Sequence, residues 1–573
     1  MARFFTFNSI SSSISQRRAS LRAAAAEGPA PTAVRDPEHA GDIHGAFGTV
    51  RLDAADRPAS WGRRLRYLLA IMGPGLIVMV GDNDAGGVAT YTQAGQNYGT
   101  RLLWVLLLLV PVLIVNQEMV VRLGVVTGVG QARLIHERFG KFWAAFSIGD
   151  LVGVNGLTIV TEFIGVALAG DYFGIPRWAS VLGAAALLVA FTVTGSFRRW
   201  EQWMYALIAV NVLMLPLVVA AHPVPGRMAH DFLVPGLPAG AGSGVLLLVI
   251  AMVGTTVAPW QLFFQQSNIV DKRITPRWIA YERADTVIGS FVVVIGAGAL
   301  MAVTAFAFAG TAHHGHFTNA AGVAHGLASA LGHHAGGIFA LLLLDASLIG
   351  AAAVTLATSY ALGDVAGARH SLHRSAKDAP IFYGVYALFL ATGATVVLIP
   401  GAPLGLITEG VQALAGVLLP SAGVFLLLLC NDKQVLGPWV NRPWLNAVSG
   451  TIVGALVLLS LTLTTATLFP HLSSGQLQLM LGGGATAGIV AAAGFGVARA
   501  HAGRRLPADP EADLETGIVL AAERLTWRMP PLSQLPRPVW SPGRKIAMLG
   551  LRLYLVVAVG LVIVKIIQLA MAV

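Results

Sequence analysis

Two long apolar stretches of this chain are interrupted by residues that a membrane-spanning helix rarely contains. The first stretch, residues 73–95, carries Asp82 and Asp84, and the second, residues 253–267, has Pro259 near its centre. A carboxylate within a bilayer is costly and usually functional, and unwound backbone is tolerated there only where it lines a cavity or is buried in protein. Interrupted helices at matching places in two halves of a chain are typical of a transporter's substrate site. The sequence therefore predicts such a site at the two breaks, with Asp84 as its leading residue.

The composition places most of the chain in a lipid bilayer. Of the 573 residues, 55% are hydrophobic and 12% are charged, with a mean hydropathy of +0.70, whereas soluble domains have about 25% charged residues. The net charge of +10 would suit nucleic acid, but the positive residues are concentrated in loops, where they act as topology signals. A single cysteine, Cys430, excludes disulfides and cysteine-based metal clusters. With no convincing phosphate-binding loop, zinc-protease motif or nucleophile elbow, we predict neither an enzyme nor an ATP-driven pump.

Apolar runs of about 20 residues predict thirteen membrane spans. They lie near residues 67–95, 101–126, 145–170, 178–196, 203–221, 245–268, 287–310, 337–362, 381–399, 405–429, 446–468, 478–499 and 546–570. Loops after the even-numbered spans carry two or more Lys or Arg residues, whereas those after spans 7, 9 and 11 have none and those after spans 1, 3 and 5 have one each. Because positive loops stay in the cytoplasm, this alternation predicts a multi-pass protein of a bacterial inner (plasma) membrane with a cytoplasmic N-terminus.

Spans 1 and 6 begin on opposite sides of the membrane, and both are broken. We therefore predict an all-α integral membrane protein in which spans 1–5 and 6–10 form an inverted repeat. The predicted transport core covers residues 61–430, peripheral spans 11 and 12 cover 431–499, a cytoplasmic linker covers 500–545, and a C-terminal span covers 546–573. Residues 1–60 are rich in Ala, Ser, Arg and Pro and are predicted to be a disordered cytoplasmic tail, although a transit peptide or a misplaced start codon also fits their composition.

Five segments of the chain resemble the Nramp family of divalent metal transporters. They are similar to that family's first, second, third, sixth and eleventh helices and read GPGLIVMVGDNDAGGVAT from Gly73, RLGVVTG from Arg122, TEFIGVALAGDYFGIP from Thr161, GTTVAPWQLFFQQS from Gly254 and VNRPWLN from Val440. The likeness covers about residues 65–470. It implies a LeuT-like inverted repeat with broken helices 1 and 6, and a divalent cation as the substrate, with no resident cofactor.

The resemblance also implies which residues hold the ion. In the family, the metal is bound by the Asp and Asn of an Asp-Pro-Gly-Asn motif, by a sixth-helix Met, and by backbone carbonyls at both breaks. The motif corresponds here to Asp84 through Gly87, and the Met corresponds to Ala258, so only the carboxylate and the carbonyls near Gly81 and Thr255 are kept. Hard oxygen ligands suit Mg²⁺ and Mn²⁺, and Mg²⁺ usually keeps several waters. The chain thus resembles a divergent Nramp-related branch that carries Mg²⁺ and Mn²⁺.

The family's proton path is incomplete in this chain. Relatives place titratable groups where this sequence has Trp260 and Ile159, although the third-helix carboxylate is present as Glu162. A proton relay needs groups that titrate in sequence. We therefore expect transport by alternating access without proton coupling, driven by the ion gradient and the membrane potential.

Further polar residues in the spans are candidates for contacts beside the ion or along its pathway. They are Asp82, Glu162, Gln261, Asp345, Glu409 and Gln412. Each buried acid has an alternative structural explanation, because it could hydrogen-bond to a neighbouring polar group instead. Asp82 could equally be an acid next to the ion or a charge on the cavity wall.

Three other functions stay open at this stage. The first is a proton-coupled Nramp-type importer of Mn²⁺ or Fe²⁺ whose proton path is rebuilt around Glu162, Asp345 or Glu409. The second keeps the scaffold for an organic substrate, which Asp84 disfavours because a carboxylate repels an anion. The third is a transport-inactive sensor or scaffold that binds a partner through the linker. The expected partners are divalent metal ions and the lipid bilayer, with no nucleic acid and no identified protein.

Overall fold

The computed structural model describes most of the chain. The described residues are 37–54, 60–238, 242–402, 404, 407–408, 411, 420–469, 472–503, 524, 527, 529–535, 545, 548–554, 556 and 560. Two short strands, β1 (Ile43–Gly45) and β2 (Gly48–Val50), form an antiparallel hairpin near the start of this part of the chain.

Helices make up nearly all of the rest. They are α1 (Trp61–Ile71), α2 (Pro74–Val80), α3 (Ala85–Tyr98), α4 (Leu103–Thr127), α5 (Gln131–Phe139), α6 (Lys141–Tyr172), α7 (Arg177–Thr192), α8 (Phe197–Val210), α9 (Met214–Ala220), α10 (Pro225–Leu233), α11 (Ser243–Thr256), α12 (Pro259–Asp271), α13 (Ile279–Ala307), α14 (Ala320–Leu331), α15 (His333–Ala366), α16 (Pro380–Leu398), α17 (Pro420–Cys430), α18 (Lys433–Leu436), α19 (Pro443–Leu468) and α20 (Ser474–Gly503). Among the described residues, eight helical segments are long and apolar enough to cross a membrane. The prediction of an all-α, multi-pass membrane protein is confirmed.

Span 1 is broken where the sequence predicts. Helix α2 ends at Val80 and helix α3 begins at Ala85, so the residues between them form an unwound connection. The start of α2 is fixed from span 7, because the carboxylate of Asp285 accepts hydrogen bonds from the backbone N–H groups of Gly73 (2.9 Å) and Gly75 (2.7 Å). A carboxylate at a helix N-terminus satisfies N–H groups that have no partner within the helix. The short half-helix is therefore held at its N-terminal end by a tertiary contact.

Span 6 is broken in the same way. Helix α11 ends at Thr256, and α12 begins at Pro259. Proline lacks an N–H group and has a fixed backbone angle, so it is well suited to the first position of a helix. The two residues between the halves leave the backbone extended at Ala258, with φ −87° and ψ 145°.

The loops between spans fall on two faces. On one face, the chain before α1 contacts the start of α8, the segment after α12 and the segment after α15. On the other face, the segment after α3 contacts α10, and α3 itself contacts the segment after α13. We call the first the N-terminal face and the second the opposite face. The loops that follow spans 4, 6 and 8 thus share the N-terminal face, as the charge pattern predicts.

The prediction of a disordered tail over residues 1–60 is wrong for residues 37–54. The hairpin packs so closely on α1 that a Cβ atom at Gly45 would lie 1.8 Å from the backbone oxygen of Ala70. Its turn is held by α8, where Glu201 accepts a hydrogen bond from the backbone N–H of Ala46 at 2.5 Å. Glu38, which precedes the hairpin in the chain, forms an ion pair with Arg273 at 3.0 Å. Contacts with residues distant in sequence thus hold this segment in a defined structure, which its own composition does not predict.

The C-terminal predictions are only partly within the described residues. Helix α19 corresponds to span 11, and α20 corresponds to span 12 and continues to Gly503. In the linker, the backbone oxygen of Arg524 accepts a hydrogen bond from the Trp439 side chain at 3.1 Å. Most of the linker, most of span 13 and much of span 10 lie outside the described residues, so the predicted domain boundaries stay predictions.

Candidate functional site

The break in span 1 turns the carboxylate of Asp84 toward the start of a helix. Asp84 is the N-cap of α3, and its Oδ1 accepts a hydrogen bond from the backbone N–H of Gly87 at 2.8 Å. Asp is among the preferred N-cap residues because its side chain supplies this acceptor. Gly87 is also required by space, because a Cβ atom there would lie 2.9 Å from the backbone oxygen of Asp82. The family's Asn position is therefore glycine in a place where a side chain would press on the unwound backbone.

Asp82 connects the two breaks. Its Oδ1 accepts a hydrogen bond from the side-chain amide of Gln261, and that amide also donates to the backbone oxygen of Thr256 at 3.2 Å. The hydroxyl of Thr256 lies 2.6 Å from that of Tyr91 on α3. Within the described part of the chain, Asp82 Oδ2 is buried and has no hydrogen-bond partner. Asp82 thus joins the unwound segment of span 1 to α12 and leaves one carboxylate oxygen available inside the protein.

Glu162 approaches the same break from span 3. Its Oε2 accepts a hydrogen bond from the backbone N–H of Ala85, the first residue of α3, at 3.2 Å. A Cβ atom at Gly350 on α15 would lie 2.7 Å from Glu162 Oε2 and 2.9 Å from the Cβ of Asp84. Gly350 therefore provides the space in which the Asp84 and Glu162 side chains meet. Glu162 Oε1 is buried without a partner in the residues that the structure describes.

Span 6 also places Thr255, Ala258 and an aromatic ring near the breaks. Thr255 is buried, and Ala258 stands at the N-cap of α12 with no side-chain capping bond. Trp260 is buried, and its ring would be 3.3 Å from a Cβ atom at Gly81. Trp260, at a position where relatives place a titratable group, thus packs on the unwound segment of span 1.

A cavity of about 460 Å³ reaches the site from the opposite face. Ala85 and Gly165 lie among its lining residues, together with Thr318 and Asn319, which follow α13. On the N-terminal face, Lys272 and Glu201 form a buried ion pair at 2.5 Å. The cavity therefore approaches the breaks from the opposite face.

The charges of the site are uncompensated by protein cations. In the described residues, no Lys or Arg forms an ion pair with Asp82, Asp84 or Glu162. Isolated carboxylates are expensive to bury, and a bound cation is one way to offset that cost. No three His, Cys, Asp or Glu side chains in the described residues are arranged to hold a metal, so an ion here would also need backbone carbonyls and its own waters.

Most of the predicted site residues converge, but not all of them. Asp82, Asp84, Gly87, Glu162 and Gln261 are joined by the contacts above. Asp345 is directed elsewhere: its Oδ2 accepts a hydrogen bond from Asn211, next to α8, at 2.9 Å. The structure therefore does not bring Asp345 to the site, because α15 presents it to span 5 and presents Gly350 to the breaks.

Two of the predicted pathway residues cannot be placed, and two residues near the site were not predicted. Glu409 and Gln412 lie outside the described residues. Sequence reasoning missed Tyr91, and it missed Gln117, whose amide donates to the Gln261 oxygen at 3.4 Å. The polar run Asn-Gln-Glu in the middle of apolar span 2 was an available signal for Gln117.

Two broken helices in an inverted repeat, with buried carboxylates where the breaks meet, define a membrane transporter and not an enzyme. The natural resistance-associated macrophage protein-like (Nramp) family model matches residues 75–466. The chain therefore belongs to the Nramp family, which is a family of transporters. Its LeuT-like fold is confirmed by solved structures: a manganese transporter of Eremococcus coleocola, in complex with an aromatic bis-isothiourea compound, has a TM-score of 0.61 at 20% identity and covers 76% of this chain and 95% of that one.

Proteins that are similar in sequence match most of this chain and nearly all of their own length. The divalent metal cation transporter MntH of Burkholderia ambifaria is 28% identical over 427 residues, which cover 72% of this chain and 92% of the relative. The protein of the same name from Verminephrobacter eiseniae is 29% identical over 436 residues, covering 73% and 94%. The unmatched parts of this chain are mainly its two ends.

Proposed function

We propose that this protein moves divalent metal cations across a membrane by alternating access, with Mg²⁺ and Mn²⁺ as its principal substrates. The observation that carries the proposal is the uncompensated acid pair at the break of span 1: Asp84 at the start of α3 and Asp82 with a buried, unpartnered oxygen. The relatives named above are divalent metal cation transporters, and the structural neighbour is a manganese transporter. These names support the substrate class.

The choice among divalent ions rests on the donors that surround the breaks. Asp84, Asp82 and the backbone carbonyls at the breaks supply hard oxygen atoms, whereas Ala258 supplies no sulfur. Oxygen donors suit Mg²⁺ and Mn²⁺, and thioether donors suit softer ions. Mg²⁺ binds through few protein ligands and keeps several waters. The absence of a metal-ready group of three side chains among the described residues supports an ion that arrives partly hydrated.

We infer that the cation moves without a coupled proton. Trp260 and Ile159 are both buried and apolar in character, and neither can carry a proton. A divalent cation that moves down a potential of 100 mV gains about 4.6 kcal/mol, twice the value for one charge. The N-terminal face, which gathers the positively charged loops, is proposed to be cytoplasmic in a bacterial inner membrane.

A proton-coupled mechanism is the second candidate, and the placement of Glu162 favours it. This carboxylate meets Asp84 at Gly350 and has one unpartnered buried oxygen. A carboxyl group in such a place could take up a proton when the ion leaves Asp84. The position of Asp345 against Asn211 gives no support to a rebuilt path through that residue.

One experiment separates these functions. Purified protein is reconstituted into liposomes that contain a trapped pH-sensitive dye, and uptake of Mg²⁺, Mn²⁺, Ca²⁺ and Fe²⁺ is measured in parallel. Uptake of Mg²⁺ and Mn²⁺ without acidification supports the proposal. Uptake with acidification supports the proton-coupled alternative. No uptake of any of these metals, with the protein correctly inserted, would favour a sensor or scaffold.

A further inference from the structure

A stripe of polar side chains follows one face of α12 from the break in span 6 to the end of that helix. Its members are separated by four, three and four positions, a spacing that places side chains on one face of a helix. They are Gln261, Gln265, Asn268 and Lys272, and all are completely buried. This polar stripe is about 16 Å long. It begins at Asp82, to which Gln261 donates a hydrogen bond, and ends at the ion pair of Lys272 on the N-terminal face.

Glu282 on α13 faces the polar stripe. It lies one helical turn before Thr286 and therefore on the same face of α13. The hydroxyl of Thr286 accepts a hydrogen bond from the Gln265 amide at 2.9 Å, so this face of α13 approaches the stripe. Gln265 and Lys272 are accordingly polar neighbours of Glu282. Glu282 is thus placed between the ion site and the N-terminal face.

The Glu282 carboxylate has no donor of its own among the described residues. Its side chain is completely buried, and neither oxygen has a hydrogen-bond partner there. Lys272 is directed elsewhere, because its Nζ donates to Glu201 at 2.5 Å and to the backbone oxygen of Met72 at 2.8 Å. Asp285, three positions further along α13, is satisfied by backbone N–H groups at the start of α2.

This region also contains more buried acids than buried cations. Glu201, Asp285 and Glu282 are completely buried, and within the described part of the chain the ion pair with Lys272 is the only one that any of them forms. A buried carboxylate without a compensating charge is costly. A cation beside Glu282 would offset that cost, whereas an anion would increase it.

Unpartnered amide atoms lie along the same stripe. The Oε1 atom of Gln265 and both polar atoms of the Asn268 side chain are buried and have no hydrogen-bond partner within the described ranges. Amide oxygens accept hydrogen bonds from water and are ligands of hard cations. Because no three His, Cys, Asp or Glu side chains in the described residues are arranged to hold a metal, a cation here would contact one carboxylate and keep its waters. Such a contact suits passage better than storage.

We propose that Glu282 is a second contact for the transported divalent cation, on its route between the breaks and the N-terminal face. Gln265 and Asn268 hydrogen-bond to the waters that the ion retains, and the Glu282 carboxylate compensates part of the charge of the ion after it leaves Asp84. This inference rests on the proposed function, because it assumes that a divalent cation crosses the protein.

The first test compares initial Mg²⁺ uptake rates in proteoliposomes that contain the full-length protein. Glu282→Gln keeps the shape of the side chain and removes its charge. Glu137→Gln is the matched control, since it makes the same change to an acid on α5 that is ion-paired with Arg133 at 2.6 Å and lies outside the polar stripe. We expect Glu282→Gln to lower the maximal rate at least tenfold with KM changed less than threefold, because the ion still binds at Asp84. Glu282→Asp should keep at least a third of the rate, and the control should stay within twofold.

A second test detects contact with the ion, which a purely structural role would not give. Glu282→Cys adds a thiolate that binds Cd²⁺, so micromolar Cd²⁺ should inhibit the remaining Mg²⁺ uptake at least tenfold more strongly than it inhibits the wild-type protein. Dithiothreitol, which removes Cd²⁺, should reverse this inhibition. Glu137→Cys should respond as the wild-type protein does. The native Cys430 is buried and is present in every variant.

The outcomes separate this inference from the proposed function. Uptake by Glu282→Gln within twofold of an active wild-type protein would overturn the inference and leave the proposed function intact. A slow Glu282→Gln whose Glu282→Cys counterpart shows no added sensitivity to Cd²⁺ would also overturn it, because Glu282 would then act only on the balance of conformations. Wild-type protein that moves none of the divalent metals would refute the proposed function and this inference with it. Melting temperatures report whether each variant is folded, and if Glu282→Gln is not, the Cd²⁺ response of Glu282→Cys decides alone.

Discussion

The most direct perturbation of the ion site is Asp84→Asn, because it removes a charge and little else. Asparagine is about as good an N-cap as aspartate, and its side-chain oxygen can still accept the hydrogen bond that Gly87 donates at 2.8 Å. The free energy of unfolding should therefore change by less than about 0.5 kcal/mol. Uptake of the metal should change much more.

The size of the expected transport defect follows from Coulomb's law. Two unit charges 4 Å apart interact by about 4 kcal/mol at an effective dielectric constant of 20, and a divalent ion doubles that to about 8 kcal/mol. Dehydration of the ion offsets most of this attraction. If only a third of it survives as net affinity, about 2.7 kcal/mol, its loss is still about a hundredfold in binding. We therefore expect Mg²⁺ and Mn²⁺ uptake by Asp84→Asn to fall at least a hundredfold.

The assay measures initial uptake rates in proteoliposomes that contain equal amounts of protein, together with the apparent melting temperature in detergent. Asp150→Asn is the matched control, because it makes the same change to a buried acid that hydrogen-bonds to Ser421 instead of facing the breaks. Asp150 lies twelve positions before Glu162 on α6, about 18 Å away along the helix, and its variant should keep uptake within twofold. Near-normal uptake by Asp84→Asn would refute the site, and a large loss of melting temperature would show that Asp84 is mainly a structural cap.

Four further outcomes are expected. Ala258→Met should shift competition for uptake from Mg²⁺ toward Mn²⁺, Fe²⁺ or Cd²⁺, because it adds a soft donor; unchanged Mg²⁺ uptake and no gain by a softer ion would place residue 258 away from the ion. Metal uptake by the wild-type protein should not acidify the liposome, and acidification that disappears in Glu162→Gln would show that protons are carried. Lys272→Met should lower the free energy of unfolding by about 3–5 kcal/mol, since it leaves Glu201 buried without its partner; a denaturant titration showing a loss below about 1 kcal/mol would contradict this. Stability conferred by protonated His370, which pairs with Asp364 at 3.1 Å, should be complete below its ordinary pKa of 6.5 and be lost as pH rises through about 9, at most about 3 kcal/mol in all; melting temperatures that do not respond to pH over this window, relative to His370→Gln, would disprove the ion pair's contribution.

The breaks were predictable because their causes are local. Asp82, Asp84 and Pro259 cannot continue a lipid-exposed helix, so the sequence shows where the two spans unwind. The same holds for the shared face of the loops after spans 4, 6 and 8, which follows from the positions of Lys and Arg. Each of these conclusions needs only a residue and its immediate neighbours.

The contacts across the breaks were not predictable, because they depend on residues distant in sequence. Asp82 bonds to Gln261 only after spans 1 and 6, from different repeats, have packed together, and Glu162 approaches Ala85 only after spans 1 and 3 have packed together. In the sequence, Gly350 is indistinguishable from any glycine that allows close helix packing. In the structure, its lack of a side chain leaves space for Asp84 and Glu162. Asp345 illustrates the reverse error: an isolated acid in a span suggested a pathway, but packing directs it to Asn211.

The N-terminal hairpin was missed for a related reason. A pair of three-residue strands is marginal in water without packing partners, and the partners here are α1, α8 and the loop after α12. The contacts of the hairpin also bear on the relative populations of the two conformational states of a transporter. If opening of the N-terminal face separates these elements, the hairpin must detach, at least in part, before that face opens. Every 1.4 kcal/mol that docking contributes changes the ratio of the two states tenfold. In that case, the balance between the two states is set in part by a segment that lies outside the ion site.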